Sequence, residues 1–191
     1  MTEQAFSLIP FPAPVIPAIT VTGHISRQGN LFAAHYLLAG MAQDVFLPSP
    51  VEHPSRTDEL WRQTCFEFFL AVRGQPQYWE FNRAPSGAGN VYRMDAYRRV
   101  GFREETSIQQ LPFEARREEN TFVLNAVVDL SPIFQLEDLV EVGITTVIQT
   151  RDGKETYWAL THPAQHADFH LRESFILELA PQTHPLGQSA P

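Results

Sequence analysis

Short apolar stretches separated by turn residues recur along this chain, and they restrict it to an all-β fold. Between residues 15 and 180 the stretches are rich in Val, Ile, Phe, Tyr and Trp, and turns come roughly every 10–15 residues. Such a pattern is typical of a β-sandwich, because strands favour β-branched and aromatic residues. With 191 residues, of which 43% are hydrophobic, the chain can bury a large core without disulfides. The sequence therefore predicts one β-sandwich domain.

Two pairs of neighbouring stretches predict hairpins. The segment "AITVTGHISRQGNLFAAHYLLAG" contains two apolar strands around a turn at residues 28–30. The segment "TDELWRQTCFEFFLAV" predicts one long strand, and "QYWEFNRAP" follows it after a short turn, so we expect these two to pair antiparallel. We predict three regions: an extended Pro-rich segment over residues 1–14, the sandwich over residues 15–180, and a disordered tail over residues 181–191.

The acidic charge, the single cysteine and the N-terminal stretch argue against binding to nucleic acid or membranes, against disulfides and against export. The net charge is −8, there is one Lys, and the Arg residues form no basic stripe, so we expect no binding to nucleic acid or to membranes. Cys65 is the only cysteine and lies in an apolar strand, which predicts a buried thiol without a disulfide. The N-terminal stretch lacks a basic region and is interrupted by four prolines, so we expect a soluble, cytoplasmic protein.

Strand alternation places polar and aromatic side chains together on one face of the predicted sheet. One strand contributes the following set: Trp61, Gln63, Cys65, Glu67 and Phe69. The next strands contribute two further sets: Tyr78, Glu80 and Asn82, then Val91, Arg93 and Asp95. A face that carries Trp, Glu, Asn and Arg is suited to a sugar, because rings cover C–H faces and planar polar groups bind hydroxyls. The alternative is a solvated face with ordinary cross-strand charge pairs.

Three histidines recur at intervals of four in "WALTHPAQHADFHL": His162, His166 and His170. On a helix they would share one face and could bind a metal. Pro163 and the surrounding strand pattern favour a loop or strand, where each interval spans roughly 13 Å. We therefore predict no metal site. We expect His162 and His170 to line a pocket and His166 to face solvent.

Cofactor and catalytic motifs are weak in this chain. The stretch "SGAGN" leads into a strand rather than a helix, which indicates a plain turn and not a phosphate loop. Met94 could pack in the core or could hold a haem together with a histidine, so a haem-binding redox module is one alternative to the prediction of no cofactor. A second alternative is a protein partner on the open sheet face. We predict no enzyme, because no two carboxylates are placed in a working geometry.

Four segments in order, "ELWRQTCFEFFLAV", "YWEFNRAPSGAGNVYRMDAY", "FVLNAVVDLSPI" and "HADFHLRESFILEL", resemble the DOMON-like superfamily. Within it they are similar to the family nine carbohydrate-binding modules and to a bacterial group of stand-alone DOMON-like proteins. The resemblance spans residues 15–180. It implies an immunoglobulin-like antiparallel β-sandwich and a non-catalytic module that binds a small-molecule or glycan ligand, with sugars and haem as the ligands of the superfamily.

The resemblance also implies roles for individual residues. Trp61 would stack on the ligand, and Glu67, six residues later, would accept hydroxyl hydrogen bonds. Arg93 and Gln149 would orient polar groups, and Phe169 is one of two candidates for a second stacking aromatic. The predicted ligand-binding set is Trp61, Glu67, Asn82, Arg93, Gln149, Trp158, His162 and His170.

Overall fold

The computed structural model describes residues 2–40, 42–98 and 100–181. Its strands are β1 (Thr2–Pro10), β2 (Ile19–Gln28), β3 (Leu31–Gly40), β4 (Cys65–Val72), β5 (Tyr78–Arg83), β6 (Gly89–Met94), β7 (Arg103–Glu104), β8 (Phe113–Arg117), β9 (Thr121–Asp129), β10 (Val140–Gln149), β11 (Glu155–Ala159) and β12 (Leu177–Leu179). Short 3₁₀ turns span Ala42–Asp44, Leu60–Arg62 and Arg172–Ser174. Within these residues, no helix has the length and apolar character needed to cross a membrane.

The strands form two layers that share β1. The first layer has the order β1-β2-β3-β9-β8, and the second has the order β7-β6-β5-β4-β10-β11, with β12 beside β10. Residues 2–8 of β1 pair with β2, whereas Ile9 and Pro10 pair with β11, so the sheet curls from one layer into the other. All strand pairs are antiparallel. The predicted antiparallel β-sandwich is confirmed.

The core between the layers is built by alternation along each strand. On β4, Phe66 and Phe68 are fully buried and face the core. The ring of Phe68 packs on Phe32 of β3 at a centroid distance of 4.8 Å, and Phe66 packs on Tyr36 at 5.2 Å. Burying each such ring contributes about 1.5–3 kcal/mol. Because alternate side chains point to opposite faces, Glu67 points away from the core, to the outer face of the second layer.

The N-terminal boundary differs from the prediction. Residues 1–14 were expected to lie outside the sandwich, but β1 begins at Thr2 and pairs with strands of both layers. The reason is visible in the side chains, since Phe6 and Leu8 alternate into the core. Prolines 12, 14 and 17 follow the strand and do not interrupt it. Of the predicted tail, residues 182–191 lie outside the described part of the chain.

Both predicted hairpins are confirmed, with one change in strand length. Gln28 pairs with Leu31 across a tight turn in which Gly29 has φ 61°, a left-handed conformation that glycine adopts without strain. Strand β4 pairs antiparallel with β5. However, β4 begins only at Cys65, and the preceding residues form the 3₁₀ turn Leu60–Arg62.

Candidate functional site

A cavity of about 500 Å³ lies on the outer face of the second layer. Its floor consists of side chains from β4, β5, β10 and β11: Glu67, Phe69, Glu80, Val147 and Tyr157. Its walls are the 3₁₀ turn at 60–62, a loop that contributes Arg98 and Phe102, and a second loop that carries residues 167–170. Cavities of this volume are typical of small-molecule sites.

Aromatic rings from three separate segments surround the cavity. Trp61, on the 3₁₀ turn, is half-buried and meets the ring of Tyr92 edge to face at a centroid distance of 5.6 Å. On the opposite side, Phe169 meets Tyr157 edge to face at 6.1 Å. Each pair holds its rings in fixed orientations while leaving part of the ring surface open to the cavity. The cavity therefore has apolar walls on two sides.

The floor of the cavity carries a carboxyl group with one free oxygen. Glu67 is only 2% exposed, and its Oε2 accepts a hydrogen bond from Thr145 Oγ1 at 3.0 Å. Its Oε1 has no hydrogen-bond partner within the described residues. Burial, reinforced by the neighbouring Glu80, raises the pKa of Glu67 to about 8. Near pH 7 Glu67 is therefore mostly protonated, and its O–H can donate a hydrogen bond to a ligand.

A second buried carboxylate, Glu80, lies beside it and is held by neighbouring side chains. Asn82 Nδ2 donates to Glu80 Oε1 at 2.9 Å, and Asn82 itself is completely buried. His170 Nε2 lies 4.0 Å from Glu80 Oε2, and its Nδ1 lies 2.9 Å from the hydroxyl of Tyr78. Asn82, a predicted ligand-binding residue, therefore holds Glu80 in position and does not line the cavity, whereas His170 borders it.

Asp168 joins the two loops that form the walls. Its Oδ2 accepts hydrogen bonds from the Tyr97 hydroxyl at 2.5 Å and from Arg98 Nε at 3.0 Å, and its Oδ1 accepts from the His170 backbone N–H at 3.0 Å. Burial raises the pKa of Asp168, but these donors outweigh it and hold the pKa below its ordinary value. The loop at 167–170 is thus fastened to the loop that carries Tyr97 and Arg98.

Backbone strain is concentrated at the cavity walls. Within the described residues, the non-glycine residues with positive φ are Glu59 at 57° and Arg98 at 43°. Glu59 directly precedes the 3₁₀ turn that carries Trp61, and its carboxylate accepts from Arg62 Nη2 at 2.7 Å. Arg98 borders the cavity and binds Asp168. Left-handed backbone at such residues is unfavourable and tends to occur at functional sites.

Replacing Asp168 with alanine is expected to release both loops. The side chain accepts hydrogen bonds from three donors, and a bond to a charged group contributes about 1.5–3 kcal/mol. We expect amide hydrogen exchange at residues 95–101 and 167–170 to accelerate at least about tenfold, while exchange in β4 stays constant. The matched control is Asp152→Ala, in an exposed turn. Unchanged exchange in both loops would show that Asp168 does not hold them.

Two predicted binding residues do not reach the cavity, because alternation turns them to the other face. Arg93 lies over the ring of Trp79, a core residue, at 5.8 Å, and the cavity receives Arg98 instead. Trp158 is 3% exposed and belongs to the core, whereas its neighbour Tyr157 faces the cavity. The sequence offered one signal for each case. Arg93 shares a face with the core residue Val91, and two adjacent aromatic residues necessarily point to opposite faces.

Gln149, another predicted binding residue, supports the wall instead of lining the cavity. Its side-chain Nε2 lies 3.5 Å from the Arg62 carbonyl oxygen, and its backbone N–H donates to Thr64 Oγ1 at 3.1 Å. These contacts hold the segment between the 3₁₀ turn and β4 against the end of β10. Gln149 therefore contacts the segment that carries Trp61 and does not line the cavity.

The three histidines separate in the structure. His170 borders the cavity, whereas His162 places its Nε2 2.9 Å from the Ile9 carbonyl oxygen and lies outside it. His166 is 71% exposed and faces solvent as predicted. The segment is a series of turns and not a helix, so the side chains do not converge. No group of three or more His, Cys, Asp and Glu in the described part of the chain is arranged to hold a metal.

The two sulfur-containing residues considered at the sequence level are both fully buried. Cys65 is a free thiol, and burial raises its pKa far above the ordinary value, which supports a structural role. Met94 packs in a cluster with Phe69, Tyr78 and Phe175 beneath the cavity floor and does not border the cavity. Its position gives no support to the haem alternative.

Comparison with known proteins identifies the fold. No family model and no curated protein sequence matches the chain. A candidate carbohydrate-binding protein from Bacteroides uniformis shares it with a TM-score of 0.67 and 14% identity, over 91% of this chain and 83% of that one. A family nine carbohydrate-binding module from Caldicellulosiruptor kristjanssonii, in complex with cellotriose, gives a TM-score of 0.60 at 11% identity, over 98% and 87%. The corresponding glucose complex gives 0.56 at 9%, over 93% and 84%. At these identities the likeness shows a common β-sandwich fold.

Proposed function

We propose that this chain is a non-catalytic, DOMON-like sugar-binding domain that holds its ligand in the cavity on the outer face of the second layer. One observation carries the proposal: half-exposed aromatic rings surround a buried carboxyl group, Glu67, that has a free oxygen. Apolar rings beside a buried polar group are the two elements that sugar recognition requires. The shared fold with modules in complex with glucose and cellotriose supports a sugar as the ligand class.

Each side of the cavity has a distinct role in this proposal. The rings of Trp61 and Phe169 cover the C–H faces of the sugar from the two walls. The protonated Glu67 donates to a sugar oxygen, and Glu80 accepts from a hydroxyl. Arg98, held by Asp168, presents further N–H donors at the rim. A mixed set of donors and acceptors is what hydroxyl groups, which both donate and accept, can use.

The placement of the carboxyl groups supports binding rather than hydrolysis. Glycoside hydrolases place two carboxyl groups on either side of the scissile bond. Here Glu67 and Glu80 are neighbours on adjacent strands of the same floor. Both therefore approach a ligand from one side.

The proposal is tested by titration calorimetry with glucose and cellotriose. Trp61→Ala and Phe169→Ala are each expected to weaken binding about tenfold or more, because a stacked ring contributes roughly 1 kcal/mol beyond its buried area. The control Phe11→Ala removes a ring that lies against His162 outside the cavity and leaves affinity unchanged. In a second matched pair, Arg98→Ala weakens binding and Arg93→Ala does not. Equal affinities across all variants would disprove the proposed site.

A further inference from the structure

The outer face of the first layer carries almost no charge in its centre. On the three central strands, alternation turns the even-numbered residues 20–28 of β2, the odd-numbered residues 31–39 of β3 and the odd-numbered residues 121–129 of β9 away from the core. Among these described positions only Asp129, at the end of β9, is an Asp, Glu, Lys or Arg. Exposed protein surfaces typically have about 25–35% charged residues. The centre of this face therefore lacks the charged side chains that are typical of a surface in contact with water.

Two stacked histidines occupy the middle of this face. His24 pairs with His35 across β2 and β3, and their rings stack at a centroid distance of 4.6 Å with planes 11° apart. Two imidazolium rings at this distance would repel each other. Burial, and next the neighbouring His24, lower the pKa of His35 below its ordinary value. Near pH 7 His35 is therefore neutral, and the row continues with the uncharged Asn125 of β9.

Exposed apolar side chains lie together on the same face. Leu31 is 54% exposed and Val127 is 40% exposed. Val127 pairs with Ala33, two residues from Leu31 on β3, so Leu31 and Val127 are diagonal neighbours. Val127 and Ala33 also line a groove of about 450 Å³, together with the ring of Phe113. Contiguous exposed apolar surface of this kind typically marks a site of contact with another molecule.

Charged residues reappear at the margins of the face. Glu3 lies on β1, opposite Ser26 of β2. On the other side, Glu114 of β8 lies opposite Asn125 of β9. Protein–protein interfaces have this arrangement, in which charged residues are depleted from the centre and a polar rim surrounds it.

The size of the face meets the requirement of a stable dimer. Strands β2 and β3 each have 10 residues, and at about 3.3 Å per residue they are roughly 30 Å long. The five strands of the layer, about 4.8 Å apart, are together roughly 24 Å wide. The face thus presents roughly 600–700 Å². A standard interface covers about 800 Å² on each partner, and a biological one at least about 500 Å².

We propose that two copies of this chain form a dimer through the outer face of the first layer. The chain has a net charge of −8, so two copies repel each other wherever their acidic surfaces meet. On the neutral face two copies approach without this repulsion, and the face matches itself in a two-fold arrangement. A basic partner, which the negative charge would attract, would bind at acidic groups, and the centre of this face lacks them. The charge distribution therefore favours a second copy over a basic partner.

The proposed dimer leaves both sugar-binding cavities open. Each cavity lies on the outer face of the second layer, on the opposite side of the sandwich from the interface. The two cavities of a dimer therefore point away from each other, and one dimer can hold two ligand molecules. The pairing does not depend on what the cavity binds, so a failure of the proposed function leaves it in place.

Analytical ultracentrifugation of the full chain tests the proposal. At about 100 μM, above the micromolar Kd at the weak end of such interfaces, we expect a species with twice the 21.7 kDa mass of one chain. Val127→Glu and Leu31→Glu each bury a carboxylate without a partner in the interface, and we expect each to weaken the dimer at least about tenfold. The matched control is Ile176→Glu, which replaces a 55% exposed apolar residue next to β12 of the second layer and leaves the dimer unchanged.

A wild-type protein that is monomeric at this concentration overturns the proposal, and the face then serves another occupant. A dimer that persists in both Val127→Glu and Leu31→Glu, or that Ile176→Glu weakens equally, overturns the assignment to this face. Both substituted side chains are exposed in the single chain, so the core should stay intact. Near-ultraviolet circular dichroism identifies the variants that keep the wild-type core, and two separate positions keep the test decisive if one variant unfolds.

Discussion

Replacing Glu67 with glutamine is expected to stabilise the protein by about 5 kcal/mol at pH 9. The same substitution should leave stability near pH 4 almost unchanged. Burial, and next the adjacent Glu80, raise the pKa of Glu67 to about 8 in the folded state, whereas an exposed glutamate in the unfolded chain has a pKa of about 4.3. Glutamine keeps the shape and can still accept the hydrogen bond from Thr145.

Glu67→Gln stabilises the protein at high pH because the folded and unfolded states bind a proton on Glu67 with different affinities. Between about pH 4 and pH 8 the folded state holds a proton on Glu67 that the unfolded state has lost. The contribution of Glu67 to stability is therefore complete below the unfolded pKa and is lost as the pH rises through the folded pKa. The neutral glutamine pays no such cost, so the difference between variant and wild type grows with pH.

Urea unfolding at pH 4, 7 and 9 measures this effect. The matched control is Glu155→Gln, an exposed carboxylate at the rim of the same cavity, which we expect to change stability by less than about 0.5 kcal/mol at each pH. A Glu67→Gln variant that is no more stable than wild type at pH 9 would mean that Glu67 is ionised without cost. The account of a protonated floor carboxyl would then fail.

Replacing Arg27 with methionine is expected to lower the free energy of unfolding by about 3–4 kcal/mol. Arg27 is 0% exposed and donates to four backbone carbonyl oxygens, those of Gly29 at 3.0 Å, Asp138 at 2.7 Å, Gln135 at 2.7 Å and Leu136 at 3.5 Å. Methionine has a similar length but no donor, so four partly buried carbonyl oxygens lose their hydrogen-bond donor. The loop between β9 and β10 also carries Phe134, whose ring packs on Trp79 at a centroid distance of 4.9 Å. Loss of the Arg27 hydrogen bonds would weaken this packing as well.

The control for Arg27 is Arg116→Met. Arg116 is 79% exposed and pairs with Glu118 at 3.0 Å on the surface, so its loss should cost less than about 1 kcal/mol. Thermal and urea unfolding of both variants measure the difference. A cost at Arg27 no greater than that at Arg116 would show that the loop between β9 and β10 is held by other contacts.

The fold could be predicted because alternation is a local property of the sequence. In β4 the phenylalanines at 66 and 68 and the intervening Glu67 specify two faces without knowledge of any other strand. The turn at Gly29 and Asn30 fixed the register of the first hairpin in the same way. The exception is β1, where closely spaced prolines suggested an irregular segment although Phe6 and Leu8 follow the strand period.

The site was only partly predictable, because its walls come from segments without a strand pattern. Trp61 and Glu67, to which the resemblance assigned ligand contacts, both border the cavity. Trp61 reaches the cavity from a 3₁₀ turn that directly follows Glu59, whose backbone is left-handed. No glycine or proline near residue 59 predicts this turn. Arg98 and Asp168 form a hydrogen bond although 70 residues separate them in the sequence. No local signal predicts such a pairing between two loops.

The sequence also cannot predict which face of a strand borders the cavity. Alternation states which residues share a face but not which face borders the cavity, since that depends on the neighbouring strands. Tyr157 and Trp158 illustrate the point, because the larger ring was the expected ligand contact and the smaller one borders the cavity. In β11, the pairing of Tyr157 with Val147 on β10 decides the outcome.

A crystal structure of the protein with glucose tests the central claim most directly. The account predicts one sugar in the cavity, between the rings of Trp61 and Phe169, with a sugar oxygen within hydrogen-bond distance of Glu67 Oε1. The outer face of the first layer has a separate groove beside His24 and His35. Glucose bound in that groove, with the cavity empty at a concentration that saturates binding in solution, would contradict the account.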